Sequence, residues 1–216
     1  MIRIGLILVT VMSLFNFSFG QSSKEQAFWK WFKTNEARLF EFEKDQDKIF
    51  AALAEEMHKI NAGLTFEFGP NNDGVREFVI SADGNKAMFP FVISLADKAP
   101  SMPKWKIIRF RPRREPMREF TFEGKRLLSG QIRFTIESDG DKAGITLFME
   151  GYEPSQHNTF GSIGFLYLDN CLGEYDVETK VGFVQFKNAE EPSKLTKRPL
   201  SELAATFDKF TKPNLN

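Results

Sequence analysis

Seven basic side chains, Lys104, Lys106, Arg109, Arg111, Arg113, Arg114 and Arg118, fall within fifteen positions, and Glu115 is the only acid among them. If the segment from Trp105 to Arg113 is a regular strand, Trp105, Ile107, Arg109, Arg111 and Arg113 share one face. Successive arginines on that face would stand about 6.5–7 Å apart. Such a row can grip phosphate or carboxylate groups in bidentate fashion. Arg109, Arg111 and Arg113 are therefore the candidate ligand-binding residues, and the ligand they imply is anionic. The competing reading is an ion-paired sheet surface, with Glu67 and Glu77 on neighbouring strands as partners, and it is the favoured one.

Other chemistries have weaker support. The soft donors His58, His157 and Cys171 are isolated from one another, with no His-x-x-x-His and no paired cysteines, so no metal site is expected. Asp139-Gly140-Asp141 reads as a hairpin turn, since it lacks the length and bidentate glutamate of a calcium loop. Gly161-Ser162-Ile163-Gly164 misses the spacing of the hydrolase elbow, because Phe160 stands where the first glycine belongs. Its glycines are expected to let a helix lie close to a sheet. Pairing of Ser155 or Ser162 with His157 is a weak nucleophile signal. Carboxylate clusters at Asp169, Glu174 and Asp176, and at Glu36, Glu41 and Glu43, have the residue types of a glycosidase pair. With 29 acids in the chain such clusters arise without purpose, and solvated helix faces are the favoured reading. No phosphate-binding glycine loop is present, so no cofactor is expected.

These residues need elements to position them. Ser23-Lys24-Glu25-Gln26 has capping-box spacing ahead of Phe28, Trp31, Phe32, Leu39 and Phe40. Trp29 and Trp31 lie about 200° apart around that helix, so both cannot face one core. Trp29 is expected to be the more exposed and joins the candidate binding residues. A second amphipathic set runs Ile49, Phe50, Leu53, Met57, Ile60, with Gly63 as its stop. Strands follow at Leu64 to Phe68, Phe78 to Ile80 and Trp105 to Arg111, with a short helix opened by Pro90. Later come strands through Phe120 and Phe122, Ile132 to Ile136, and Ile145 to Met149. A helix from about Thr159 to Leu172, a strand through Phe186 and a helix through Leu200 to Phe210 complete the order.

The chain therefore reads as an N-terminal helical pair followed by two strand-strand-helix-strand halves. The fold class is α+β, with mainly antiparallel sheet covered by helices. Residues 21–216 are expected to form one domain, with a subdomain break near 112–119.

Composition sets the outer bounds. The 216 residues carry 29 basic and 29 acidic side chains, which gives no general electrostatic reason for nucleic-acid binding. The 24 phenylalanines against three tryptophans and three tyrosines favour a tightly filled interior over an aromatic recognition surface. Residues 1–20 carry Arg3, an apolar run from Ile4 to Phe15, and small Ser18 and Gly20 before Gln21. That pattern predicts a cleaved signal peptide and export to the periplasm or medium. The run is shorter than a spanning helix needs, so no stable membrane span is expected after cleavage. Cys171 is expected to be a buried structural thiol.

Two groups of motifs carry a resemblance. The first is Phe28-Trp29-Lys30-Trp31-Phe32 with Asn35-Glu36 and Leu39-Phe40. The second is Arg76 to Gly84, then Ala99-Pro100, Trp105 and Arg109-Phe110-Arg111-Pro112. Together they resemble an uncharacterised bacterial family, a domain of unknown function, mainly over residues 25–115. The resemblance implies an α+β bacterial domain and assigns no catalytic residue. The expected function is a non-enzymatic binding or interaction module meeting an envelope protein or an anionic ligand at the basic strand or the Trp29 helix. The alternatives are an exported hydrolase, with a site assembled from scattered carboxylates or His157, and a structural envelope component.

Overall fold

The computed structural model describes residues 23–115 and 118–211, and the expected export segment lies outside them. Ser23 caps the first helix, α1 (Lys24–Thr34): its hydroxyl accepts from the Gln26 N–H while the Gln26 side chain reaches back to the Ser23 N–H. A short α2 (Glu36–Phe40) and a 3-10 turn lead to α3 (Gln46–His58), so the helical start is a chain of separate pieces. The last of them stops before Ile60 and Gly63.

β1 (Thr65–Phe68) pairs antiparallel with β2 (Arg76–Ser81). The chain then crosses through α4 (Phe89–Asp97) and returns as β3 (Trp105–Arg109), parallel to β2. A hairpin of β4 (Glu119–Phe122) and β5 (Lys125–Leu128) opens the second half. There β6 (Ile132–Asp139) pairs antiparallel with β7 (Lys142–Met149) through the Asp139-Gly140-Asp141 turn. Two helices follow, α5 (His157–Leu172) and α6 (Glu174–Lys180), and β8 (Val181–Asn188) then returns parallel to β7. The two-residue β9 (Arg198–Pro199) borders β6, and α7 (Leu203–Thr211) closes the described chain.

The two halves thus share one order of pairing, a hairpin followed by a helical crossover to a parallel strand. The expected α+β class and strand-strand-helix-strand repeat are both present, with β4 and β5 as the extra strands of the second half. The central strands β2 and β7 are buried almost throughout, because helices or loops cover both of their faces. Hence β7 reads as the near-continuous run Ala143 to Met149 instead of alternating.

Each half has its own apolar core. In the first, Phe32 packs 4.9 Å from Phe78 and 5.0 Å from Trp105, centroid to centroid, within a cluster that also takes Phe28 and Leu53. In the second, Phe134, Leu147, Ile163 and Phe207 are fully enclosed. The expected close approach of α5 to the sheet is present as well. A methyl group on Gly164 would meet the Phe186 ring at 2.4 Å, so only a glycine lets that ring lie against the helix.

The tryptophan expectation is reversed. Trp29 is 3% exposed and its indole N–H donates to the Leu95 carbonyl at 2.7 Å, whereas Trp31 is half-buried. A large ring with a polar handle can be enclosed once that handle is paired, and the end of α4 supplies the acceptor. Trp29→Phe removes the donor, leaves the Leu95 carbonyl unpaired and should cost about 1–3 kcal/mol. Trp29→Ala should cost about 3–5 kcal/mol. Urea denaturation checks both, and a cost for Trp31→Ala equal to that for Trp29→Ala would contradict the assignment.

Candidate functional site

The basic segment does not form the row its spacing suggested. β3 ends at Arg109, and Phe110 takes a φ of 62°, a left-handed conformation that a bulky side chain rarely adopts. Two contacts compensate for it. The Phe110 N–H extends the parallel ladder to the Ile80 carbonyl at 2.8 Å, and its ring packs 4.4 Å from Phe89 and 5.3 Å from Tyr175. The turn of the chain there sends Arg111 and Arg113 into a linker, off the strand face.

The three arginines consequently meet different partners. Arg109 pairs with Asp97 on α4. Arg111 donates from Nε to Glu67 at 2.6 Å and from Nη2 to Asp83 at 2.9 Å, with Asp169 3.6 Å from Nη1. Arg113 holds the Leu172 carbonyl, Asp208 and Asp176. Of the partners expected from neighbouring strands, Glu67 takes Arg111 as anticipated, while Glu77 takes Lys106 and Arg114. The arginines are tied down by carboxylates, two of the three across the junction of the halves.

A buried acid organises that junction. Glu174 has no solvent exposure, so it is not on the solvated helix face expected for its cluster. Its Oε1 accepts from the backbone N–H groups of Ala82 at 2.8 Å and Gly84 at 3.3 Å, and its Oε2 from Arg111 N–H at 3.0 Å. In return the Glu174 N–H donates to the Arg111 carbonyl at 3.0 Å. Gly173, at φ 82°, makes this fit possible: a methyl group there would lie 3.3 Å from the Arg111 carbonyl oxygen and from Arg113 Cγ. The sequence signal was a glycine breaking two helices just before an acid, and the chain as read continued from α5 straight to a strand.

Beside the junction lies a groove of about 690 Å³ built by both halves. The turn Asp83-Gly84 and Arg111 form one side, and one face of α5 runs along the other from His157 to Asp169. The twelve helical steps from His157 to Asp169 make that face about 18 Å long. Phenyl rings line the groove: Phe165 is 43% and Phe122 37% exposed, and Phe186 joins them from β8. Glu178 enters from α6. His157 and Asp169, both weighed from the sequence, are brought into one cavity, 12 positions apart in the chain. The phenylalanines and Glu178 were missed, because nothing in their local sequence separates them from core or surface.

Burial pushes the Asp169 carboxyl up from its ordinary 3.8 to about 7. Arg111 opposes that shift, while Glu174, Glu178 and Asp83 add to it. Glu178 is raised by burial and by Glu174, against Lys86 and Lys142. In the same groove His157 Nδ1 is 3.0 Å from the Tyr152 hydroxyl, and Ser162 lines it from within α5, not from a strand-to-helix elbow. Cys171 is buried, and burial pushes its thiol up to about 12, as a structural thiol requires. Among the described residues no cluster of three or more His, Cys, Asp or Glu is arranged to hold a metal ion, and no helix is long and apolar enough to cross a membrane. Comparison of the chain with protein-family models, curated proteins and solved structures finds no match.

Two outcomes follow from this geometry. Glu174→Ala strips three backbone donors of their acceptor, and with each unpaired buried donor costing about 1–3 kcal/mol the loss should be at least about 3 kcal/mol in urea denaturation. For Asp169 the folded pKa lies above the unfolded one, so between about pH 4 and pH 7 the folded state binds more protons. Its contribution therefore makes stability fall as pH rises through that window. Asp169→Asn should flatten this part of the pH–stability profile. An unchanged slope in the variant would show that Asp169 titrates normally.

Proposed function

We propose that this protein is an exported, non-enzymatic binding module whose ligand sits in the groove between its two halves. The groove itself is the observation that carries the reading. It is large enough for a small molecule, walled by partly exposed phenyl rings, and framed by a few fixed polar groups, the composition of a binding pocket. The anion-gripping row of arginines has less support than its spacing suggested. Arg109, Arg111 and Arg113 are each paired with carboxylates of this chain. Trp29 supports core packing in place of recognition.

A second reading, an exported hydrolase, draws on one specific observation: Asp83, Asp169, Glu178 and His157 line the same cavity. A carboxyl with a pKa of about 7 has the proton affinity of a general acid at neutral pH. Against this, the Asp169 carboxylate leans on Arg111, and His157 shares a hydrogen bond with Tyr152.

Titration of a fragment mixture into isotopically labelled protein, followed by amide NMR, tests the binding reading. Shifts should concentrate on Gly84, Ser162, Phe165 and Leu166, and Phe165→Ser should abolish them while leaving the fold intact. Shifts scattered away from α5 would sink it. The hydrolase reading instead requires turnover of a supplied glycoside or ester that Asp169→Asn abolishes with fragment binding retained. Export predicts that the natural protein, sequenced from its N-terminus, begins at Gln21.

A further inference from the structure

The groove has two chemistries, and together they define an occupant. Its apolar share comes from Phe122, Phe165 and Phe186, which offer both hydrophobic area and negatively charged ring faces. Its charged share is unbalanced. Asp83, Asp169 and Glu178 line it, against Arg111 as the one guanidinium, and that guanidinium is already divided among Glu67, Asp83 and Asp169. The Asp169 carboxylate stands 3.6 Å from Arg111 Nη1, beyond hydrogen-bond length.

An anionic ligand would meet three carboxyl side chains, and the one arginine among them already serves Glu67 and Asp83 and stands beside Asp169. A neutral apolar ligand would take water from the Asp169 and Glu178 carboxyl groups without replacing its hydrogen bonds, which costs free energy for each polar group left without a partner. A cation with an apolar body satisfies both surfaces, since its nitrogen answers the carboxylates and its body covers the rings. The size of the cavity suits a small molecule better than a folded partner.

We propose that the groove is a site for a small organic cation, a protonated amine or guanidinium carried on an aromatic or alkyl body, with the nitrogen at the Asp169–Glu178 end. The proposal rests on the groove being the binding site and adds the class of ligand. The burial and like charges that hold the Asp169 proton are what an incoming cation would offset. Arg111 then acts as a positioning residue, holding Asp83 and Asp169 in place across the junction.

The test compares three probes of one shape: 2-phenylethylamine, 2-phenylethanol and 3-phenylpropionate, each titrated into the purified protein and followed by amide NMR. The amine should bind at Ser162, Phe165 and Asp169, at least about tenfold more tightly than the alcohol, with the carboxylate weaker still. Asp169→Asn should bring the amine down to the level of the alcohol. Glu178→Gln should weaken it in the same direction and serves if the first variant does not fold. Equal binding of amine and alcohol at these residues would overturn the cation assignment and leave the groove reading intact. A preference for the carboxylate would overturn it too. No shift at these residues from any of the three would remove both.

Discussion

The Glu174 carboxylate is wholly out of water, and the acceptor capacity it brings is filled by backbone N–H groups from Ala82, Gly84 and Arg111. A buried carboxylate without such donors would cost several kcal/mol, so the side chain tolerates one arrangement of three segments. Those segments are the turn after β2, the linker after β3 and the first turn of α6. They come from both halves, which are otherwise built on separate cores. The relative placement of everything in the groove follows from this contact. Asp83 and Gly84 lie on the clamped turn, Arg111 is the clamped linker residue, and Asp169 lies one helical turn before the Gly173 break.

The linker arginines extend the same contact outward. Arg111 and Arg113 reach Glu67, Asp83, Asp169, Asp176 and Asp208, which belong to β1, the β2–α4 turn, α5, α6 and α7. Such partly exposed pairs return little net stability, because solvent screens the attraction. Their geometric selectivity is considerable, however, since a planar guanidinium accepts carboxylates only in certain directions. The apolar trio of Phe89, Phe110 and Tyr175 supplies attraction at the seam, and the ion pairs select its register.

What the sequence made legible was local. Capping at Ser23, the hairpin at Asp139-Gly140-Asp141 and the two repeated halves depend on neighbours within a few positions, and spacing reports them. Gly161 and Gly164 were readable too, because glycines in an apolar helix have few purposes other than close packing. The basic segment was legible in its ion pairing but not in its geometry, since its reading assumed a strand through Arg113 and the left-handed Phe110 breaks it. A positive φ at a phenylalanine has no composition signal; contacts from Ile80, Phe89 and Tyr175 sustain it. Trp29 was misjudged for a similar reason: its acceptor, the Leu95 carbonyl, is 66 positions away. The groove was illegible as a whole. It joins Asp83 to Phe186 through a junction whose central acid looked like one of many on a helix surface.

The groove's location also has a physical cause. The linker holds α5 at its last turn, where Arg111, Arg113 and Arg114 meet Asp169, Leu172 and Asn170. The helix is 16 residues long, about four turns, and the pinned portion is only the final one. Its remaining length runs out past the seam, over β8, with Gly161 and Gly164 drawing it down onto Phe186. Phe165, one turn beyond Gly161, sets its ring 5.8 Å from Phe186 at the edge of that contact and stays partly exposed toward the groove. Lengthening the seam to cover Phe165 would bury the ring and close the cavity. Keeping the seam short leaves a recess between two halves that each pack around a core of their own.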